Sequence, residues 1–420
     1  MQVFKFGGAS VKDAKGVVNL AKVLRTTGFE NTLVVISAMG KTTNAMEAVI
    51  HNYFGAKAEL QSALQEVKKF HNEILLELFE NTEHHVYKKV ANLFSELEVF
   101  FKLNKSPDYN FVYDQAIGFG ELVSTAIVSA YLNEIGMTND WLDVRSLIKT
   151  DSYYRRANVN WDDTQDAILN RVNKNNLSIT QGFIASDSNN FTTTLGREGS
   201  DYSAAIFGYC LNATAVTIWK DVPGVLNADP RYFENAQLLH QISYAEAIEL
   251  AFYGASVIHP KTLQPLQQKE IVLYVKSFLN PENAGTKVSK EVKILPEIPC
   301  YIVKKDQVLI SLSSLDFSYI VEDNISEIFG LLHHYKMKVG LIQNSAISFS
   351  VCIENGYDNL EKLLQHLKAK FKVSCSDSVS LYTIRHYDKN TVEQLESGKT
   401  VLLKQLTQHT VQIVLKQDKL

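Results

Sequence analysis

Five short phrases hold most of the side chains that could do chemistry. In Lys5-Phe6-Gly7-Gly8-Ala9-Ser10 a lysine precedes paired glycines where an apolar run gives way to a helical pattern. Glycines placed there either form a tight turn or let backbone amides close on an anion, with Lys5 supplying charge to the same spot. The second phrase, Ser37-Ala38-Met39-Gly40-Lys41-Thr42-Thr43-Asn44, sets small hydroxyl residues and a glycine after another apolar run. The third, Gly118-Phe119-Gly120-Glu121, places an acid ahead of the apolar stretch 122–132. That carboxylate reads either as a favourable charge at a helix N-terminus or as a partner for a substrate ammonium.

The fourth phrase is the most informative. Leu195-Gly196-Arg197-Glu198-Gly199-Ser200-Asp201-Tyr202-Ser203 leads into the small-residue run 204–210. Arg197 offers a planar fork suited to a carboxylate or phosphate, and its place between glycines ahead of a helix start favours anion binding over plain solvation. The fifth runs from Trp219 through Lys220, Asp221, Gly224 and Asp229 to Arg231, two turns carrying two acids and two bases. It is either a clasp for a nucleotide or a charged surface turn. Neither G-x-x-x-x-G-K-[ST] nor G-x-G-x-x-G occurs, so a P-loop and a dinucleotide-binding fold are not expected. No Ser-His-Asp or Cys-His phrase pairs a nucleophile with a base, H-E-x-x-H is absent, and no residue is assigned as a metal ligand.

Periodicity identifies the elements that must position these phrases. From Val3 to about Pro281 short apolar runs alternate with helical stretches, the pattern of an α/β domain with a mostly parallel sheet covered on both faces. Strands are predicted at 3–6, 32–37, 177–181, 215–219 and 272–275, and helices at 12–26, ended by Gly28, and 200–210. Within 46–104, Leu64, Val67, His71, Ile74 and Leu78 recur at helical spacing, which predicts a hairpin of two long helices, either a structural insertion or a lid over a substrate. Pro281, Gly285, Pro296 and Pro299 then mark a boundary, giving a first domain at 1–285, a linker at 286–305 and a second domain at 306–420. In the second domain strands at 308–315, 339–343, 347–353 and 379–385 and helices at 326–335 and 360–371 make a βαββαβ unit. The tail 392–414 adds a short helix and two strand-like runs, too little for a second complete unit.

Composition sets the outer limits. With 420 residues, 45% hydrophobic and 21% charged, the chain calls for two or three domains with real cores. Lys and Arg (42) nearly balance Asp and Glu (46), so no basic excess gathers nucleic acid or anionic lipid, and the expected partners are small molecules or protein. The four cysteines have no close pair, which fits a reducing compartment and thiols in the core or at the surface. The opening residues lack a basic region followed by an apolar one, and no apolar run approaches a membrane span, so a cytoplasmic protein is expected. His84-His85 and His333-His334 are helix neighbours pointing apart, and His259-Pro260 reads as a turn.

In this order the five phrases resemble those of aspartate kinases of the amino acid kinase family, and the C-terminal pattern resembles an ACT regulatory domain. The resemblance implies a three-layer α/β sandwich followed by a small ACT-like α+β domain, ATP-dependent phosphorylation of the β-carboxylate of L-aspartate, and a homodimer formed through the ACT-like domain. It implies that Lys5 bridges the transferring phosphoryl group, with Gly7, Gly8 and Ser10 at the phosphates and Asp201 close to the reacting centre. Ser37, Thr43, Glu121, Arg197 and Ser200 fall on substrate positions, Arg197 gripping the α-carboxylate and Glu121 the α-ammonium. Lys220, Asp221 and Arg231 fall on the nucleotide loop, and Mg²⁺ is held mainly by the nucleotide phosphates. A carboxylate acceptor with a reference pKa of about 3.9 is ionised at neutral pH and needs no general base, in keeping with the missing nucleophile–base phrases.

The chain departs from that family's pattern in several places. Ala9 stands for its usual Thr, Glu198 for Gly, Lys220 for Thr, and Ser256 for Lys, and either Lys220 or Lys261 is in a position to restore the last charge. The C-terminal part shows one complete ACT-like unit and a truncated second one where two are common. Val339-Gly340-Leu341-Ile342 lacks the acid that lysine-inhibited members carry after the valine, so lysine inhibition is expected to be weak or absent. A kinase for another acidic amino acid such as glutamate, and a non-catalytic amino-acid sensor, are the alternative readings.

Overall fold

The computed structural model describes residues 1–255, 258–316 and 318–416; Ser256, to which the missing nucleotide-site charge was attached, lies outside the described residues. The chain divides into two compact units. One is Met1–Val225 with Leu238–Ile248 and Val257–Ile294, and the other is Leu226–Gln237 with Glu249–Ser256 and Leu295–Leu420.

The first unit is built on an eight-stranded sheet. Six strands run parallel in the order Asn139–Leu142, Leu177–Gln181, Thr32–Ile36, Gln2–Phe6, Ala215–Lys220 and Val272–Ser277. Thr286–Ser289 then pairs antiparallel, and Gln241–Ser243 lies beyond it. Both faces of the central strands are covered, and in Thr32–Ile36 this gives an unbroken apolar run, Leu33, Val34, Val35 and Ile36 having no exposed surface. Gln2–Phe6 sits mid-sheet, so the turn after Phe6 opens at the carboxyl edge where ligands of such sheets collect.

Three helices cover the stretch where two were expected: Thr42–Gly55, Lys57–Leu78 and His85–Leu103. The chain leaves helical geometry at Ala56 (φ −144°, ψ 60°) directly after Gly55, which separates the first two. Tyr109–Ile117 and Phe119–Glu134 join through Gly118, whose own angles are helical. The resulting 26-residue apolar helix Tyr109–Glu134 reaches a mean hydropathy of 1.2 over an 18-residue window. This corrects the expectation that no apolar run approaches a membrane span; 89% of that window is buried inside the protein, as a core helix requires.

The second unit carries a six-stranded sheet in the order Lys338–Asn344, Ser348–Glu354, Cys300–Ser314, Phe371–Arg385, Thr410–Lys416 and Val401–Leu406, all antiparallel. Its two 15-residue strands each serve two halves, with register shifts between Lys304 and Leu309. One half is the βαββαβ unit, its helices Glu322–His334 and Leu360–Lys368 packing over Ile310, Leu312, Phe349 and Val351. The other half takes 300–304 and 379–385 from the long strands and adds the helix Lys389–Glu396 and the last two strands around Ile384, Val411 and Ile413. The tail is therefore not a remnant standing alone: its fourth strand comes from upstream of 306. For the same reason 286–305 is not a plain linker, since Thr286–Ser289 and Cys300 onward are strand and the intervening prolines only punctuate the loop.

Candidate active site

Lys5 is the penultimate residue of the central strand, flanked in register by Val35 and Ile218. Only 9% of it is exposed, and its Nζ lies 2.5 Å from Asp201 Oδ1. Lys220, the last residue of the neighbouring strand, puts its Nζ 3.7 Å from the other oxygen, Asp201 Oδ2. Asp201 is buried in the first turn of the helix Gly199–Leu211, so one carboxylate holds two ammoniums at a helix N-terminus. Two cations on one anion leave the local charge positive, which suits a place where further negative charge must enter.

Close backbone approach joins the first two phrases. A Cβ on Gly8 would lie 2.8 Å from Ala38 O and 2.9 Å from Gly40 O, and the Gly40 amide donates to Gly8 O at 3.1 Å. Only glycine fits there, and the turn stays open to an anion beside Lys5. Ser10 Oγ is buried beneath it with no hydrogen-bond partner among the described residues. A phosphate fits this combination of bare backbone, orphaned hydroxyl and ammonium.

Glycines also bring the later phrases inward. A Cβ at Gly182, just past the strand Leu177–Gln181, would meet Ser200 Cβ at 2.5 Å, so the strand end lies directly on the start of the next helix. Gly120 packs on Ala38 and Thr42, which seats Glu121 against the second phrase. Glu121 is 3% exposed, and burial pushes its carboxyl up to about 8 although the Ala38 and Glu121 amides donate to it. A carboxyl so placed gains most from an arriving cation.

These groups converge on one cavity of about 440 Å³. Of the residues singled out from sequence, Lys5, Ser37, Thr43, Glu121, Arg197, Ser200, Asp201 and Lys220 line it. Gly7, Gly8 and Ser10 lie outside the lining, in the turn beside Lys5, where a Cβ on Gly7 would sit 3.2 Å from Lys5 Nζ. Asp221 is exposed outside it, and Arg231 is an exposed residue paired with Asp229 at 2.6 Å. Lys261 also lies outside the lining, its Nζ 6.0 Å from the Tyr202 ring. Tyr113, Arg155, Phe183 and Thr194 line the cavity but belong to no phrase, so nothing in the sequence marked them. Glu198, a departure from the glycine of the resembling family, has a left-handed backbone (φ 53°), the geometry that glycine adopts without strain.

Comparison with known proteins gives one consistent picture. Residues 1–277 match the model of the amino acid kinase family. The lysine-sensitive aspartokinase 3 of Escherichia coli (strain K12) is 32% identical over 345 residues, covering 81% of this chain and 75% of that protein. A crystal structure of E. coli aspartokinase III with lysine and aspartate aligns with a TM-score of 0.84 at 29% identity, over 99% of this chain and 95% of that one. The same enzyme with aspartate and ADP aligns at 0.79 and 27% identity, over 99% and 96%.

Proposed function

From the premise that this chain belongs to the amino acid kinase family and, within it, to the aspartokinases, we infer that it transfers the γ-phosphoryl group of ATP to the β-carboxylate of L-aspartate. The product is 4-phospho-L-aspartate, the first intermediate of the aspartate-derived amino acids. The observation that carries the reading is the convergence of Lys5, Lys220, Asp201, Glu121 and Arg197 on one cavity at the carboxyl edge of the sheet. The E. coli neighbour crystallised with aspartate and ADP supports the same pair of ligands.

The chemistry asked of these residues is mainly electrostatic. Both reactants are anions, and the acceptor carboxylate is already ionised at neutral pH, so the task is to hold like charges together in line. Lys5, placed by Asp201, lies where it can neutralise the phosphoryl group in flight, and the amides of the Gly7-Gly8 turn with the Ser10 hydroxyl suit the phosphates. Arg197 takes a substrate carboxylate and Glu121 the ammonium, with Ser37, Thr43 and Ser200 lining the acceptor end. Lys220 supplies a second cation at Asp201. We assign Asp221, next to Lys220 in the chain, to the adenosine end of the nucleotide. Mg²⁺ entering with ATP would shield phosphate charge and would be held mainly by the nucleotide phosphates.

We assign the catalytic domain to the first unit and regulation to the ACT-like second one, through which two chains pair as a homodimer in the cytoplasm. The test is one assay with ATP, Mg²⁺, hydroxylamine and either aspartate or glutamate. Hydroxamate with aspartate is expected. Product with glutamate alone would shift the substrate, and none with either would favour an amino-acid sensor that kept the fold.

A further inference from the structure

Two guanidiniums line the cavity, and neither has a carboxylate within ion-pair distance among the described residues. One is Arg197; the other is Arg155, from the loop ahead of the helix Trp161–Arg171. The Arg155 guanidinium lies 4.3 Å from the Tyr113 ring centroid and also interacts with the Tyr113 hydroxyl, contacts that hold it at the cavity wall, and a guanidinium with five N–H donors has others to offer an anion. Tyr113 is 6% exposed and is itself anchored, its hydroxyl donating to Glu47 Oε1 at 3.0 Å.

The backbone beneath Arg155 is as strongly determined. Its φ of 69° is in the left-handed region that side chains rarely adopt, so something must hold it there. Asp114, fully buried in the helix Tyr109–Ile117, accepts the Arg155 amide at 2.9 Å on Oδ2. The same carboxylate accepts the Thr194 amide at 2.9 Å and the Thr194 hydroxyl at 2.9 Å. Thr194 lines the cavity too, one residue before Leu195 and three before Arg197. Gly196 then packs on this loop, since a Cβ there would lie 3.3 Å from Arg155 O. One buried acid thus sets the position of both segments that carry the two arginines.

We propose that Arg155 is the second carboxylate-binding residue of the acceptor pocket and that Asp114 is its positioning residue, so that the pair Arg155 and Arg197 selects a dicarboxylic amino acid. This rests on the reading that the cavity takes aspartate. An acceptor with two carboxylates and one ammonium matches two unpaired guanidiniums and one buried acid, Glu121, while Lys5 and Lys220 remain with the phosphoryl group. A monocarboxylic amino acid would leave one arginine without a partner and lose that share of its binding.

The experiment uses the full chain with Arg155→Gly and Asp114→Asn. Glycine removes the guanidinium while favouring the observed φ, so a loss cannot be assigned to backbone strain; asparagine keeps the shape and gives up the charge that holds two amides. Steady-state hydroxamate assays give the KM of aspartate and ATP, and the shift in unfolding temperature on adding aspartate gives binding without turnover. The expected result is an aspartate KM raised roughly ten- to hundredfold in Arg155→Gly, the loss of a charge-assisted contact, with ATP KM within about twofold. Asp114→Asn should move the aspartate KM in the same direction by a smaller factor, and aspartate should shift the unfolding temperature of wild type more than that of either variant. Wild-type turnover of aspartate with an unchanged aspartate KM in Arg155→Gly would overturn the role of Arg155 alone. A change in ATP KM and kcat instead, or equal loss for both substrates, would overturn it too. Wild type silent to aspartate in both readouts would sink the reading on which it rests, and this inference with it.

Discussion

Among single residues, Lys5 and Lys220 differ in what each should cost to remove, because they face the two oxygens of Asp201 unequally, at 2.5 Å and 3.7 Å. Lys5→Ala should lower kcat roughly a hundred- to a thousandfold, the usual cost of losing one preorganised electrostatic group, whereas Lys220→Ala should cost about tenfold. Stopped assays at saturating ATP and aspartate separate the two, and equal effects would show that both lysines meet the phosphoryl group alike. Glu121 yields a prediction of a different kind. Burial raises its folded value from 4.5 to about 8, so between those values the folded protein keeps a proton that the unfolded chain has lost. Stability without ligand therefore falls as pH rises through that window. An aspartate ammonium binds the ionised carboxylate, so affinity for aspartate should rise from pH 6 to 8 and binding should release a proton. Calorimetry in two buffers of different ionisation enthalpy reads that proton, and a buffer-independent heat would contradict the pairing. The residues legible in sequence were those in contiguous phrases, whose glycines and charges signal together. Asp114, Arg155 and Thr194 carry no such signal, because they are 41 and 80 residues apart in the chain and meet only through the fold.

At the scale of elements, the turn after the first strand is held by a neighbouring loop as much as by its own sequence. A Cβ added at Gly8 would lie 2.8 Å from Ala38 O and 2.9 Å from Gly40 O, backbone atoms that cannot rotate away. Gly8→Ala must therefore push the two turns apart, and a steric insertion of this kind costs about 1–3 kcal/mol. The expected outcome is a lower unfolding temperature together with a raised ATP KM, while the aspartate-induced thermal shift survives. A variant with normal ATP KM would show that the turn does not touch nucleotide. The central strands, five or six residues each, were legible because mainly apolar runs bounded by turn signals have few other uses. The short ones were not: Asn139–Leu142 is four residues with two polar ones, and Gln241–Ser243 and Thr286–Ser289 are held in the sheet by pairing rather than by pattern. His71 illustrates the limit of periodicity from the other side. It occupies an apolar position of the helix Lys57–Leu78 and is wholly buried, with burial depressing its ring to about 4, so it serves as a neutral core residue that bonds the Val67 carbonyl.

For the whole molecule the open question is control, and it turns on how the second unit is put together. A long strand counted once in sequence serves twice in space, which is why the tail reads as a fragment while its half of the sheet has four strands. The two halves also share a core: Leu309, Leu341 and Cys352 of one pack with Val379, Leu381 and Val414 of the other. Gly340 stands at that seam, beside the register shift between Val339 and Leu341, where a Cβ would come within 3.1 Å of Leu381 Cδ2. Its carbonyl meets Gln412 Nε2 at 3.5 Å. Position 340, where the resemblance places the acid of lysine-inhibited members, thus carries no side chain, and one introduced there would press on Leu381 at the seam between the halves. A ligand shifts an equilibrium only by binding one state better than another, and an unpaired ammonium at this seam has nothing to prefer. Activity measured across millimolar L-lysine should accordingly change by less than about twofold, where ordinary allosteric coupling gives fivefold or more. Strong inhibition would mean that lysine finds its carboxylate elsewhere in the second unit.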